Sequence, residues 1–242
     1  MIDFEQLTRN IKGDVMTDSL HQMIYATDAS AYREMPLAVV YPRDASDVKA
    51  CIGFARENGI TLIPRAAGTS LAGQVVGNGV VVDVSRYMNR VLEINEEEHW
   101  VRVEPGVVLD ELNMRVKSLG LFFGPETSTS NRCCLGGMVG NNSCGSHSLV
   151  YGSTRDHLLE AKVILSNGEE VVLKGLEKKE VLDKMTCDSL EGKIYKCAVE
   201  MLEKNGEEIV QHFPDPALRR RNSGYAIDQL LYSNYFDATR ED

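Results

Sequence analysis

Between residues 37 and 84 the chain writes a strand, a helix and two further strands, an order that leaves few topologies open. Leu37-Ala-Val-Val-Tyr41 is an apolar run of strand length, closed by Pro42. Ser46 then stands at an N-cap position with Asp47 in the first turn, and Val48, Cys51, Ile52 and Ala55 recur at helical spacing before Gly59 supplies a C-cap. Thr61–Arg65 and Val80–Val84 are short strands. A helix between two strands makes a βαβ unit, and a crossover of that length predicts parallel pairing.

A second block has a different texture. Trp100–Glu104 alternates as a strand does, and Val108–Leu119 is helical up to Gly120. Leu158–Leu165 and Glu169–Leu173 are strands joined by Ser166-Asn167-Gly168, a hairpin signal. This block predicts an antiparallel sheet with a helix. Residues 1–35 read as a helical arm. Residues 176–205 are charged and helix-favouring, with Ile194, Cys197, Ala198, Met201 and Leu202 on one face, and 213–242 are irregular except for Ala226–Leu231.

Two glycine-rich segments carry the chemistry. The first, Arg65-Ala-Ala-Gly-Thr-Ser-Leu-Ala-Gly73, comes directly after a strand. Its small residues leave the main chain bare, so successive N–H groups can face an anion, and Thr69 and Ser70 add hydroxyls. That combination suits a pyrophosphate; read by itself, the loop is equally a tight turn. The second, Gly136-Gly-Met-Val-Gly-Asn-Asn-Ser-Cys-Gly145, runs into Ser146-His-Ser-Leu-Val-Tyr-Gly152. Glycine loses the most entropy on ordering, and a buried asparagine must satisfy its amide. Such density fits a backbone that approaches a flat ligand, or a long surface loop.

Several function classes drop out. A net charge of −10 argues against a nucleic-acid partner, and the one dense basic cluster, Arg219-Arg220-Arg221, reads as a solvated face. No stretch approaches the ~18 apolar residues of a membrane span. Met1–Asn10 carries acids without an apolar run, so no secretory signal is expected. Six cysteines without a C-x-x-C pair then point to a reducing, cytoplasmic setting with no metal site. G-x-x-x-x-G-K-[ST] is absent, and no G-x-G-x-x-G opens a helix after the first strand, so neither a P-loop nor a Rossmann fingerprint is present.

Taken in order, Arg65–Gly73, Val103-Glu-Pro-Gly106, Gly124-Pro-Glu-Thr-Ser128, Gly136–Gly145, Tyr151-Gly-Ser-Thr-Arg-Asp156 and the turn at Asn167-Gly168 resemble one known pattern. It is the FAD-binding domain of the vanillyl-alcohol oxidase/p-cresol methylhydroxylase (PCMH-type) family. The likeness runs from Pro36 to Leu173 and is greatest to the branch with D-lactate dehydrogenase, the glycolate oxidase flavoprotein and larger iron–sulfur flavoproteins. It implies an α+β fold in two lobes, a small parallel βαβ lobe and a larger antiparallel one, with FAD between them. It implies domains at 1–35 (arm), 36–175 (FAD-binding) and 176–242 (an insertion and the start of a further segment).

The resemblance further implies that Arg65, Ala66, Ala67, Gly68, Thr69, Ser70 and Gly73 wrap the pyrophosphate. Pro125, Glu126, Thr127 and Ser128, together with Gly136, Gly137, Met138, Gly140, Asn141, Asn142, Ser143 and Gly145, would lie along the ribityl chain, pyrophosphate and isoalloxazine. Tyr151 and Gly152 close that segment, and Val163 matches the strand position near the adenine. Two departures stand out: alanines replace the usual glycines at 66 and 67, and Glu126 stands where Asp is usual. Thr69 occupies the position that is His in covalently flavinylated relatives, so FAD is expected to be non-covalent.

The implied reaction is oxidation of a small 2-hydroxy acid of the D-lactate or glycolate type, with electrons passed on to an acceptor the sequence does not identify. No catalytic base can be named; His147 and His157 merely lie near the right segments. The family's Gly-Ser-Glu-Gly-Thr motif, cap domain, substrate histidines and iron–sulfur cysteines do not occur before Asp242. The chain is therefore expected to be part of a longer protein and inactive by itself. Two alternatives stay open: a flavin-binding module without turnover, and a phosphate- or nucleotide-binding protein using the two glycine-rich segments.

Overall fold

The runs at 38–41 and 80–83 are buried at every residue, as parallel strands covered on both faces must be. In the computed structural model, which describes residues 2–218 and 224–236, they form the centre of a four-stranded sheet. The arginine cluster at 219–221 lies outside the described residues. The sheet order is β1 (Asp14–Met16), β2 (Ala38–Tyr41), β4 (Val80–Asp83), β3 (Leu62–Arg65). β4 pairs in parallel with both β2 and β3, so the βαβ crossover leaves room for one strand between its ends.

The crossover helix α3 (Ala45–Asn58) ends at Gly59, in the left-handed region at φ 64°. Its N-cap is Asp44 rather than Ser46: the Asp44 carboxylate accepts from the amides of Ser46 (2.9 Å) and Asp47 (3.2 Å). Both residue types cap well, but Asp44 comes first along the chain, and its charge complements the helix dipole. Asp47 faces inward and accepts from the amides of Lys12, Gly13 and Arg43, each at 2.9 Å. That buried carboxylate ties the N-terminal segment to the sheet.

Residues 1–35 are thus more than a helical arm. Beside α1 (Phe4–Asn10) and α2 (Ser19–Tyr25) they supply β1, which pairs antiparallel with β2, and Leu7, which packs with Cys51, Phe54, Val40 and Val80. The opposite sheet face buries Val39, Tyr41, Ile63 and Val81.

A second core joins α4 (Leu109–Val116) to α5 (Leu135–Asn141) through Val107, Leu109, Leu112, Val116, Cys133, Leu135 and Met138. Burying side chains of this size stabilises by about 1.5–3 kcal/mol each. β6 (Trp100–Val103) pairs antiparallel with β5 (Val91–Asn95), a strand not expected from the sequence because exposed Leu92 and Ile94 flank exposed Glu93 and blur the alternation.

The chain divides into two compact units, Met1–Asp156 and His157–Asp242. In the second, β7 (Glu160–Ile164) and β8 (Glu170–Lys174) form the expected hairpin, with Gly168 at φ 89° in its turn. The antiparallel portion therefore consists of two separate two-stranded ladders among the described residues. The first unit also carries the short helix α6 (Ser148–Tyr151), and the described helices of the second are α7 (Lys178–Met185), α8 (Leu190–His212) and α9 (Ile227–Leu231). The buried face of α8 carries Gly192, Val199, Leu202 and Ile209. Of the face read from the sequence, Leu202 is buried whereas Ile194 and Cys197 are exposed, and Leu231 of α9 meets Gly206.

Candidate cofactor site

β3 delivers Arg65 beside Asp83 in the ladder, and the chain turns out of the sheet there. Gly68 (φ 67°) and Gly73 (φ 71°) hold the left-handed backbone that lets neighbouring amides converge. Among the described residues the N–H groups of Gly68, Thr69, Ser70 and Leu71 have no hydrogen-bond partner. The Ser70 hydroxyl donates to Gln74 and accepts from the Ala72 amide at 3.3 Å. Arg65 has no carboxylate partner among the described residues; its guanidinium lies over the Tyr25 ring, 4.9 Å from the centroid.

The segment 26–34 braces this loop from outside, a support that no spacing along the sequence reveals. The Ala29 amide donates to the Gly68 carbonyl (3.1 Å), and a Cβ on Gly73 would stand 2.5 Å from the Tyr32 ring. Beneath it, the Cys134 thiol donates to the Arg132 carbonyl at 3.7 Å, and burial raises that thiol to about 11.

The second glycine-rich segment is a helix over most of its length. α5 takes in Gly136, Gly137, Met138, Gly140 and Asn141, although glycine costs about 1 kcal/mol per helical position relative to alanine. Tertiary contacts override that cost. The Leu135 and Gly136 amides donate to the carbonyls of Val107 (2.9 Å) and Pro105 (2.8 Å), and Leu135 and Met138 enter the second core. Asn142 ends the helix in the left-handed region at φ 46°.

The glycines of α5 have different roles. Gly136 has no space for a side chain, since a Cβ would lie 2.5 Å from Pro105 Cβ. Gly137 and Gly140, three apart and so on one helix face, are open: a Cβ at 137 would meet only Ala66 at 3.6 Å, and one at 140 would meet nothing within 4 Å. The Ala66 contact puts this bare face next to the first loop.

Asn142, Ser143 and Gly145 shape the turn that leaves α5. Asn142 Oδ1 accepts from the Arg155 amide (2.9 Å), and the Ser143 carbonyl accepts from the Thr154 amide (3.0 Å) and hydroxyl (2.7 Å). Asn141 Nδ2 donates to Ser143 Oγ at 3.3 Å. Gly145 packs directly on the Glu126 carbonyl.

The turn at 124–128 is drawn into the same region. Glu126 Oε2 lies 2.8 Å from His147 Nδ1, and the Thr127 hydroxyl contacts Cys133 Sγ at 3.3 Å. Pro125 is buried and Ser128 exposed. Gly124 lies under the Tyr151 ring, which meets Phe122 edge-on at 5.1 Å. Gly152 (φ 78°) packs on the Asp156 carboxylate.

The first unit therefore brings together all the expected positions except Val163, which is half-buried in β7 of the second unit. His157 opens that second unit, exposed. Among the described residues no group of three or more His, Cys, Asp or Glu could hold a metal, and no helix is long and apolar enough to cross a membrane. Among the described residues no cysteine is in a disulfide.

Free amides on a positive-φ loop, an arginine without a carboxylate partner and an adjoining side-chain-free helix face fit a dinucleotide with a flat ring system. Comparison with known proteins agrees. The pattern described as "FAD binding domain" matches residues 36–174. The D-2-hydroxyglutarate dehydrogenase of Pseudomonas putida is 40% identical over 233 residues, covering 94% of this chain and 23% of that protein. Glycolate oxidase subunit GlcD of Bacillus subtilis is 34% identical over 162 residues, covering 66% of this chain and 34% of its own. The chain thus spans about a quarter of the length of the dehydrogenase it matches. Among solved structures, p-cresol methylhydroxylase superposes with a TM-score of 0.59 at 19% identity, over 70% of this chain and 33% of that one, and so shares the fold. With the match over 36–174 spanning more than half of its residues, the chain belongs to the family of FAD-binding domains, in the PCMH-type fold.

Proposed function

We propose that the chain holds FAD non-covalently for a dehydrogenase that oxidises a small 2-hydroxy acid. The observation that carries this reading is the set of partnerless amides at Gly68–Leu71 beside the bare face of Gly137 and Gly140. The loop amides and Arg65 would hold the pyrophosphate, whose charge they complement. Gly137, Gly140 and the Asn142–Gly145 turn would lie against the rest of the cofactor. FAD supplies the two-electron acceptor; the protein supplies position and electrostatics.

The substrate class rests on the relatives, a D-2-hydroxyglutarate dehydrogenase and a glycolate oxidase subunit, at 40% and 34% identity. Residues from the remainder of a longer protein would complete the substrate side, and the final electron acceptor belongs to that larger system. Thr69 supports non-covalent binding.

Acid precipitation of the FAD-loaded chain should leave the yellow colour in the supernatant. The product of the intact reading frame, under anaerobic conditions, should lose its flavin absorbance on addition of D-2-hydroxyglutarate, D-lactate or glycolate. Colour retained in the pellet contradicts non-covalent binding, and a flavin band unchanged by all three acids contradicts the proposed reaction.

A further inference from the structure

Arg65 is the one charged residue of the first loop, and its side chain is held in place before any ligand arrives. Its guanidinium is stacked on Tyr25, and Nη1 donates to the Tyr25 carbonyl at 3.4 Å. On its other side, Nη2, Cζ and Nε lie 2.5–2.9 Å from where a Cβ would stand on Gly68. Only a glycine at φ 67° leaves that space.

Tyr25 is itself anchored. Its hydroxyl donates to Asp83 Oδ2 at 2.5 Å, and its ring meets Tyr41 edge-on at 6.0 Å. The other oxygen of the buried Asp83 accepts from the Ser85 amide (2.7 Å) and hydroxyl (2.6 Å). Burial first, and then the bond to Asp83, pushes the Tyr25 phenol far above its ordinary range, so it remains a donor at working pH.

We propose that Tyr25 is a positioning residue for the flavin pyrophosphate, acting through Arg65: its ring fixes the guanidinium against Gly68 while Asp83 fixes the ring. This rests on the reading of 65–73 as the pyrophosphate loop. An aromatic face attracts a guanidinium without neutralising it. A carboxylate in the same place would hold the arginine equally well but cancel the charge that an anionic ligand needs. Asp83 instead binds a phenol and a serine, so position is passed to Arg65 while its charge stays free. A side chain ordered in advance loses less entropy when the ligand binds.

The test is a double-mutant cycle on the 242-residue chain, with FAD and riboflavin as ligands and the melting midpoint of the ligand-free protein measured alongside. Arg65→Leu should weaken FAD by about tenfold or more while moving riboflavin, which lacks the pyrophosphate, by less than about twofold. Tyr25→Leu should weaken FAD by roughly three- to tenfold in the wild-type background and have no effect in the Arg65→Leu background. Tyr25→Phe, which keeps the ring and the fold, should show the same dependence on Arg65 with a smaller loss, and it decides the matter if Tyr25→Leu does not fold. Equal losses in both backgrounds, equal losses for FAD and riboflavin, or no loss would overturn the role of Tyr25. An Arg65→Leu protein that binds FAD like wild type would instead overturn the underlying placement of the pyrophosphate, and this inference with it.

Discussion

Ala66 and Gly137 are neighbours although far apart in sequence: a Cβ built on Gly137 lies 3.6 Å from that of Ala66, at ordinary van der Waals distance. This contact joins the strand-borne loop to the bare face of α5, and it separates the needs of the fold from those of the ligand. Gly137→Ala should raise the melting midpoint of the ligand-free chain by a few degrees, because alanine gains about 0.5–1 kcal/mol over glycine in a helix. Gly137→Val should fold yet bind FAD about tenfold more weakly, since its methyls would stand on the face proposed to receive the cofactor. Thermal melts and flavin titrations check both. A Gly137→Val protein with wild-type affinity would move the cofactor off this face.

Gly145 and Gly140 should behave as opposites. A methyl at Gly145 collides with the Glu126 carbonyl, a backbone atom that cannot swing aside, so Gly145→Ala should cost about 1–3 kcal/mol or prevent folding. A methyl at Gly140 meets nothing, so Gly140→Ala should be neutral to stabilising in the ligand-free state. Denaturant midpoints of the two variants, measured side by side, decide this. Equal midpoints would contradict the packing described for Glu126.

The sheet is legible in the sequence because its strands are short apolar runs and its crossover helix carries caps and a period. The cap itself is ambiguous: Ser46 and Asp44 are both good caps, and only the fold shows that Asp44 holds the first amides while Asp47 is occupied by Lys12, Gly13 and Arg43. The helical state of 135–141 is hidden because Gly136, Gly137 and Gly140 argue locally for a loop. Contacts to Pro105 and Val107, remote in sequence, reverse that preference. The loop residues themselves are readable from their composition and a family likeness. Tyr25, Tyr32 and Asp83, which hold Arg65 and Gly73 in place, are not, since no local pattern links residues so far apart along the chain.

Alkaline pH should destabilise the fold through its buried thiols. Burial, reinforced by the Asp47 charge, raises the Cys51 thiol from 9.0 to about 12, and burial raises Cys134 to about 11. Both folded values exceed the unfolded one, so between pH 9 and 12 the native state binds more protons than the unfolded state. Their contribution to stability is whole below pH 9 and is lost as pH rises through the folded values. The urea midpoint should therefore fall above pH 9, and Cys51→Ala should flatten that fall. A midpoint that rises above pH 9, or an identical slope in the variant, would contradict the assignment.

The same burial predicts thiol reactivity at neutral pH. Cys187 and Cys197 are exposed, whereas Cys51, Cys133 and Cys134 are buried. A maleimide should label the two exposed thiols of the native chain within minutes and the three buried ones only after denaturant is added. Mass spectrometry of the peptides reads this directly, and rapid native labelling of Cys134 would show that the support under the first loop is open.

Recognition of a flavin through its pyrophosphate is the task proposed for the loop at 65–73 and the face of α5. Parallel titrations of the chain with FAD and with riboflavin, followed by flavin fluorescence, test it most directly. FAD should bind at least about tenfold more tightly than riboflavin, and Gly68→Val should abolish the difference by filling the space occupied by the Arg65 guanidinium. Equal affinities for the two flavins, or a preference for FAD that survives Gly68→Val, would contradict this recognition.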